Sequence, residues 1–363
     1  MEVGILGLPG VGKTCLFNAL TSGTIAASQS AAKPNVGMAN VPDERLAQIN
    51  QLIETQRIVP ATVKFVDIAG LSKGASHGDG LGNKFLAYIR EADAVLEVVR
   101  CFESADVPHI DGSIDPVRDV ETVETEMIFA DLETVEKNLD KQRKHARAGN
   151  DKEAAAAVAT LEHIIPELQK GAPIRRMGLK PEQMKFIRTL GLVSDKRVLY
   201  IANVGEDDLD GAGAHARRLR EHVAKQGGGG GIVVPVCAKL EAELVELYPE
   251  DRAMMLKEMG IKTTALAAVT KAAYQLLGLQ SFFTVGPDEI RAWPIPVGAT
   301  APQAAGVIHS DFEKGFIRAE VYHFKDLMQY QSEAAVKHAG HCRAEGKNYV
   351  FQEGDIAHFL SQK

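Results

Sequence analysis

Cysteine is scarce in this 363-residue chain, and the four present, Cys15, Cys101, Cys237 and Cys342, lie far apart with no CxxC pair. That spacing excludes a disulfide framework and the common zinc-site patterns, and it suits a reducing compartment. Long apolar runs are missing too. No window approaches the run of about 18 apolar residues that a membrane helix needs. The opening MEVGILGLPG has neither a basic n-region nor an apolar stretch long enough for a secretion signal. The expectation is a cytoplasmic protein with no membrane contact. Positive charge is not in excess: 41 basic against 48 acidic residues leave a formal net charge of −7. No chain-wide field therefore draws it to DNA or to an anionic surface, and any RNA contact has to come from a local patch. What is present is 45% hydrophobic and 25% charged, enough for two or three folded domains and without an internal repeat.

The first signal is a short strand, Val3 to Leu6, that runs into Gly7-Leu8-Pro9-Gly10-Val11-Gly12-Lys13-Thr14 and then into a helical pattern. Further apolar runs at Val63 to Asp67, Val95 to Val99, Val198 to Asn203 and Ile232 to Val236 read as buried strands of a mostly parallel α/β sheet. Between the third and fourth of these five, Ile128, Leu132, Val135 and Leu139, then Val158, Leu161, Ile165 and Leu168, step at helical spacing on either side of a polar break at 148–151. Two amphipathic helices with one narrow apolar seam each make an antiparallel hairpin. With helices of about 25 residues it would project roughly 35 to 40 Å. The glycine run Gly227 to Gly231 reads as a flexible connector. After a helix near Thr263 to Leu277, short β-like segments at Phe282 to Val285, Ile290 to Ile295, Val307 to Ile308, Ile317 to Tyr322 and Tyr349 to Phe351 predict a small mixed domain.

G-x-x-x-x-G-K-T between a strand and a helix is a phosphate-binding loop in its confirming context. Backbone N–H groups of Pro9 to Cys15, the proline excepted, would close around phosphates, Lys13 would bridge the β- and γ-phosphates, and the Thr14 hydroxyl would hold Mg²⁺. Asp67, at the end of a neighbouring strand, supplies the carboxylate for the metal, and Gly70 completes a D-x-x-G switch. Leu71 follows, where a glutamine positions the attacking water in Ras-like domains, and leucine cannot do this. His77 and His109 are the candidate substitutes.

The strand VLYIAN leads into Asn203-Val204-Gly205-Glu206, where guanine-specific domains carry N-K-x-D. The lysine stem that covers the base is replaced by Val204 and the carboxylate is one methylene longer, so guanine should no longer be strongly favoured. Cys237-Ala238-Lys239 resembles the S-A-K loop that meets the base through backbone N–H groups.

Together, GLPGVGKT, the segment from Phe65 to Val95, VVRCFE, the NVGE element and the segment from Arg291 to Glu320 resemble the YchF subgroup of the Obg-related P-loop proteins, the Obg-like ATPases. The resemblance implies an α/β fold: a G-type domain (1–122 and 196–278) interrupted by a helical hairpin (123–195), then a C-terminal β-grasp TGS domain (279–363). It implies a slow ATPase that binds ATP and Mg²⁺ and associates with the ribosome through ribosomal RNA, the hairpin tip and the TGS domain, as a monomer. It also implies that His109 is the catalytic histidine beside Lys13, rather than His77. A guanine-nucleotide switch and a binding scaffold with negligible turnover are the alternatives. Two departures stand out. Gly10 replaces an asparagine that helps to hold K⁺ in related proteins, which predicts weak K⁺ activation. In the first switch, Ala31 stands where a hydroxyl would reach Mg²⁺, with Lys33 a conceivable stand-in for the lost monovalent ion.

Overall fold

The computed structural model describes residues 1–21, 34–68, 80–149, 151–226, 231–261 and 263–362, which pack as two compact units. In chain order the elements begin β1 Glu2–Leu6, α1 Lys13–Thr21, β2 Asn35–Asn40, α2 Glu44–Leu52, β3 Ile58–Val59, β4 Thr62–Asp67, α3 Gly80–Glu91 and β5 Ala94–Arg100. There follow α4 Pro116–Gly149, α5 Lys152–Gln169, α6 Pro181–Thr189, β6 Arg197–Asn203, α7 Ala214–Lys225, β7 Ile232–Val236, α8 Ala238–Glu246, α9 Pro249–Glu258 and α10 Ala265–Leu276. The chain closes with β8 Leu279–Thr284, β9 Ile290–Pro296, α11 Ala301–Ile308, α12 Ser310–Lys314, β10 Phe316–His323, α13 Phe324–Tyr330, α14 Glu333–His338, β11 Arg343–Glu345 and β12 Asp355–Ser361.

The first unit takes residues 1–38 and 64–269. Its sheet runs β2-β4-β1-β5-β6-β7, and β1 pairs in parallel with β4 and β5, β5 with β6, and β6 with β7. β5 is buried along its whole length, Glu97 and Arg100 included, as a strand covered on both faces is. In register, Ile5 faces Asp67, Arg100 faces Asn203, and Asn203 faces Val236, so the loops that leave these strands all emerge at one sheet edge. Ligands of open α/β sheets bind at that carboxyl edge.

The hairpin forms where the periodicity placed it, with one helix longer than expected. α4 is unbroken over 34 residues, roughly 50 Å of helix. Ile128, Val135, Leu139, Leu161, Ile164 and Leu168 make its buried seam, with Leu132, Val158 and Ile165 at the margin. Asp151 caps α5 by accepting the N–H groups of Glu153 and Ala154. Buried carboxylates fasten the base. Glu124 takes both Arg175 and Arg176, the latter at 2.7 Å. Asp131 is fully buried on α4 and accepts the backbone N–H of Val193 at 2.8 Å and of Ser194 at 2.7 Å, while the Ser194 hydroxyl accepts from Ile174 N at 3.1 Å.

The second unit joins residues 39–63 to residues 270–363, although the sequence reading placed 39–63 within the nucleotide-binding stretch 1–122. Its sheet order is β11-β10-β12-β8-β9-β3, and the first and last strands of the C-terminal segment, β8 and β12, lie side by side in parallel as in a β-grasp. Asp43 caps α2, and its carboxylate and that of Glu353 both hold Arg45, whose guanidinium lies 4.8 Å over the Phe283 ring. Two expected strand segments differ. Val307 and Ile308 end a helix, because Thr300 and Gln303 form a capping box with Pro302 in the first turn and deliver Ala304 and Ala305 to the core. Tyr349 to Phe351 make only an isolated bridge, and the strand lies at β12, whose Asp355 and His358 obscured it in the sequence.

Burial pushes the Asp131 carboxyl up to about 6. The folded state therefore holds a proton that the unfolded chain has released, and this group's stabilisation is complete below the ordinary carboxylate range and is lost as pH rises through about 6. Asp131→Ala strands two buried N–H groups and should destabilise the first unit by about 2–4 kcal/mol. The midpoint of urea unfolding at pH 5 measures this, and an unchanged midpoint would show that the two amides find other acceptors.

Candidate functional site

The loop after β1 turns so tightly that Gly7, Gly10 and Gly12 all take positive φ. Gly12 is irreplaceable on two counts: φ is +95°, and a Cβ there would lie 2.4 Å from the Asn203 side-chain nitrogen. At Gly10, φ is +76° but a Cβ would meet only Val107 at 3.7 Å and the Pro108 carbonyl at 3.8 Å. Asparagine tolerates that backbone, so space does not explain its replacement here.

Lys13 opens α1 and is 8% exposed, with Nζ donating to the Leu8 carbonyl at 2.6 Å. Burial lowers its ammonium to about 8, against the opposing pull of Asp67. The exposed Thr14 hydroxyl donates to Asp67 Oδ2 at 3.2 Å. Desolvation raises the Asp67 carboxyl, opposed by Thr14, Lys13 and Asn35. A hydroxyl and a half-buried carboxylate, both hard oxygen donors and already in contact, fit a small divalent cation such as Mg²⁺. Pro9 and Gly10 face solvent, while the Val11 side chain is buried.

Asn203 does more than the sequence reading gave it. Its Nδ2 donates to the Val11 carbonyl at 2.8 Å and its Oδ1 accepts the Ala238 N–H at 3.0 Å, so one buried amide ties the phosphate loop to the loop after β7. Both halves of the amide are engaged within the protein, so Asn203 braces two loops against each other. Cys15 adds a second tie, its thiol donating to the Ala238 carbonyl at 3.2 Å. Cys237 caps α8 and is buried. Val204 is only 2% exposed, packed inward. Glu206 reaches outward and pairs with Lys239 at 2.9 Å, a partner that the sequence reading passed over.

Arg100, at the end of β5, was also missed, because an arginine inside an apolar strand reads as a strand end. Its guanidinium is buried and donates to the carbonyls of Phe102 at 3.1 Å and Val107 at 2.7 Å while covering the Phe102 ring. It thus staples the loop beside Gly10 that leads to His109. The His109 ring is buried against Asp119, with Nε2 to Oδ2 at 2.8 Å and Nδ1 accepting the Asp111 N–H at 3.1 Å. His109, Asp111 and Asp119 bring donor atoms within 4.8 Å of one another, but Arg118 lies 3.0 Å from Asp119 and 3.6 Å from Asp111 and supplies the positive charge there. Ala31, Lys33, Gly70, Leu71 and His77 lie outside the described residues.

Two family models match the chain. One, described as a 50S ribosome-binding GTPase, covers residues 2–132, and the other, a C-terminal YchF-GTPase model described as a protein of unknown function, covers residues 279–362. The chain is 47% identical over 361 residues to the ribosome-binding ATPase YchF of Haemophilus influenzae, covering 99% of this chain and 98% of that protein. It is 44% identical over 367 residues to the protein of the same name from Bacillus subtilis, with the same coverage. Among solved structures, that of the Schizosaccharomyces pombe YchF GTPase matches with a TM-score of 0.87 and 35% identity over 99% of this chain and 97% of that one.

An anionic phosphate chain brought against Lys13 stabilises its ammonium and raises it above the value of about 8 held in the free protein. Binding then takes up a proton at higher pH. Affinity for a nucleoside triphosphate should be flat near neutrality and fall as pH climbs past about 8, by up to about tenfold per pH unit. Titration calorimetry in two buffers of different ionisation enthalpy reads the proton uptake directly, and none at pH 8.5 would show that Lys13 is already charged before binding.

Proposed function

The chain belongs to the YchF family, and we propose from that premise that it is a slow, ribosome-associated ATPase of the cytoplasm. The observation that carries this reading is the convergence of Lys13, Thr14, Asp67 and the loop at Ala238 on one sheet edge, braced by the Asn203 amide. Lys13 would exchange its Leu8 carbonyl for the β- and γ-phosphates, its burial sharpening the preference for an anion. Thr14 and Asp67 would hold Mg²⁺, which neutralises charge on the phosphate oxygens as the terminal group is transferred. Gly70 would sense the γ-phosphate and Leu71 would leave the attacking water without a glutamine, two roles that rest on the sequence. His109 is then the polar group that serves the water, and the engagement of its ring with Asp119 accounts for slow turnover.

Base choice follows from the Asn203 to Glu206 element. Guanine offers N1–H and N2–H to a carboxylate, and adenine has no such pair. Here Glu206 is already bonded to Lys239, and Val204 packs inward instead of covering a base. A guanine base would have to displace the lysine to be read, so the pocket gives up the discrimination that favours GTP. The bacterial relatives are named ATPases and the fission-yeast structure a GTPase, and the pocket of this chain supports the first. Displacement of labelled ATP should require at least about tenfold more GTP than unlabelled ATP, with Lys13→Ala losing both. Equal displacement by GTP would overturn the adenine reading, and unimpaired binding by Lys13→Ala the phosphate-loop reading.

Ribosome contact is assigned to the far end of the α4 and α5 arm together with the C-terminal unit. Lys141, Lys144, Arg147 and Lys152 are exposed near the tip of a chain that is acidic overall. Arg143, expected in the same cluster, is paired across the hairpin with Glu162 at 2.7 Å. Reversing Lys141, Lys144 and Arg147 to Glu should weaken co-sedimentation with ribosomes and flatten its salt dependence by roughly three ionic contacts. Sedimentation unchanged across a salt series would leave the tip in solvent.

A further inference from the structure

Both ring nitrogens of His109 are occupied. The Asp111 N–H donates to Nδ1 at 3.1 Å, and a nitrogen that accepts a hydrogen bond carries no proton. The ring proton is therefore on Nε2, which donates to Asp119 Oδ2 at 2.8 Å. Neither nitrogen remains to accept a proton from water or to orient it. Asp119 is itself fixed from its other side, where Oδ1 accepts Arg118 Nε at 3.2 Å and Nη2 at 3.0 Å. The same guanidinium donates to the Ser113 carbonyl at 2.6 Å and its hydroxyl at 3.1 Å, so the loop closes back onto the first turn of α4.

The backbone of this loop nevertheless runs beside the phosphate loop. A Cβ on Gly10 would lie 3.8 Å from the carbonyl oxygen of Pro108, the residue before His109. After the ring the chain turns, Gly112 N donating to His109 O at 3.0 Å, with Gly112 at φ +73° and nothing within 4 Å of its Cβ position. A buried ring tied to helix α4, a backbone next to the phosphate loop and an open glycine turn between them describe a side chain that reaches the nucleotide only by leaving its present partner.

We propose that Asp119 is a positioning residue of the hydrolytic reaction: it withholds His109 in a neutral, Nε2-protonated state, and release of this pair is the step that admits the ring to the nucleotide. This rests on the reading of His109 as the group that serves the attacking water. Asp119 sits in the first turn of α4, the unbroken helix that also carries the basic tip, so a shift of that helix along or across its axis is felt at the pair. The opposite arrangement, a carboxylate that activates a histidine where it stands, predicts the opposite kinetics, which makes the two separable.

The test is steady-state ATP hydrolysis by the full chain with Mg²⁺. Asp119→Asn keeps an acceptor oxygen and the side-chain shape while replacing a charge-assisted bond by a neutral one, so kcat should rise about fivefold, with KM for ATP unchanged. The rise should vanish when His109→Ala is added. A fall in kcat, or no change, overturns the proposal, as does a rise that survives the loss of His109. If His109→Ala alone leaves turnover intact, the underlying reading of the histidine fails instead. The wild-type chain supplies a readout independent of any variant. Ring nitrogen spectra of His109 should show the Nε2-protonated tautomer in the nucleotide-free chain and lose it when Mg²⁺ and a non-hydrolysable ATP analogue are added, and identical spectra in the two states would overturn release of the pair.

Discussion

One buried amide holds the candidate site in shape. Asn203 leaves β6 in register with Arg100 and Val236, and from there its side chain reaches the Val11 carbonyl on one side and the Ala238 N–H on the other. Three loops from three strands are thereby fixed by a group that offers one donor and one acceptor in a rigid plane. The geometry leaves no room for a side chain at position 12, which is why the glycine of the loop and the asparagine of a strand some 190 residues later constrain one another. Losing either partner would leave a buried backbone group without its bond, at a cost of about 1–3 kcal/mol.

The arm is held by the same kind of interaction used for a different end. Its two helices meet along a narrow apolar seam, which sets their pairing but not their placement on the sheet. Placement comes from carboxylates sunk into the base: Glu124 gathering two arginines and Asp131 taking two backbone amides. Buried ionic groups add little net stability compared with apolar side chains, but they tolerate only one register. A long projecting lever benefits from that property, because an apolar seat could slide.

A few residues nearer the start of the same helix, a carboxylate holds an imidazole. His109 is brought next to the phosphate loop by a backbone that Arg100 staples to three carbonyls, and its ring is then held by Asp119. Glu206 shows the same pattern in the loop after β6, where its carboxylate pairs with Lys239. In both places a charged partner contributed by a neighbouring segment engages the motif residue.

The phosphate loop, the parallel strands and the hairpin were legible in the sequence because each is a local pattern: glycine spacing before a helix, apolar runs bounded by turns, and a seam at helical period. Asp67 and Asn203 could be named because they end apolar strands, and Glu206 because it follows Asn203 at the motif's spacing. What the sequence could not show is which distant groups those residues meet. Nothing local marks residues 39–63 as part of the C-terminal unit, since their attachment runs through Arg45 to Glu353 and Phe283. Nor does any local signal tell that Asn203 braces two loops, that Lys239 pairs with Glu206, or that His109 is paired with Asp119. The chain's pattern decided which elements form and which chemistry they carry, because propensity and periodicity act over a few residues. The tertiary structure alone decided which of those groups are free to act, because hydrogen bonding of a buried side chain is settled by whatever the fold places within 3 Å of it.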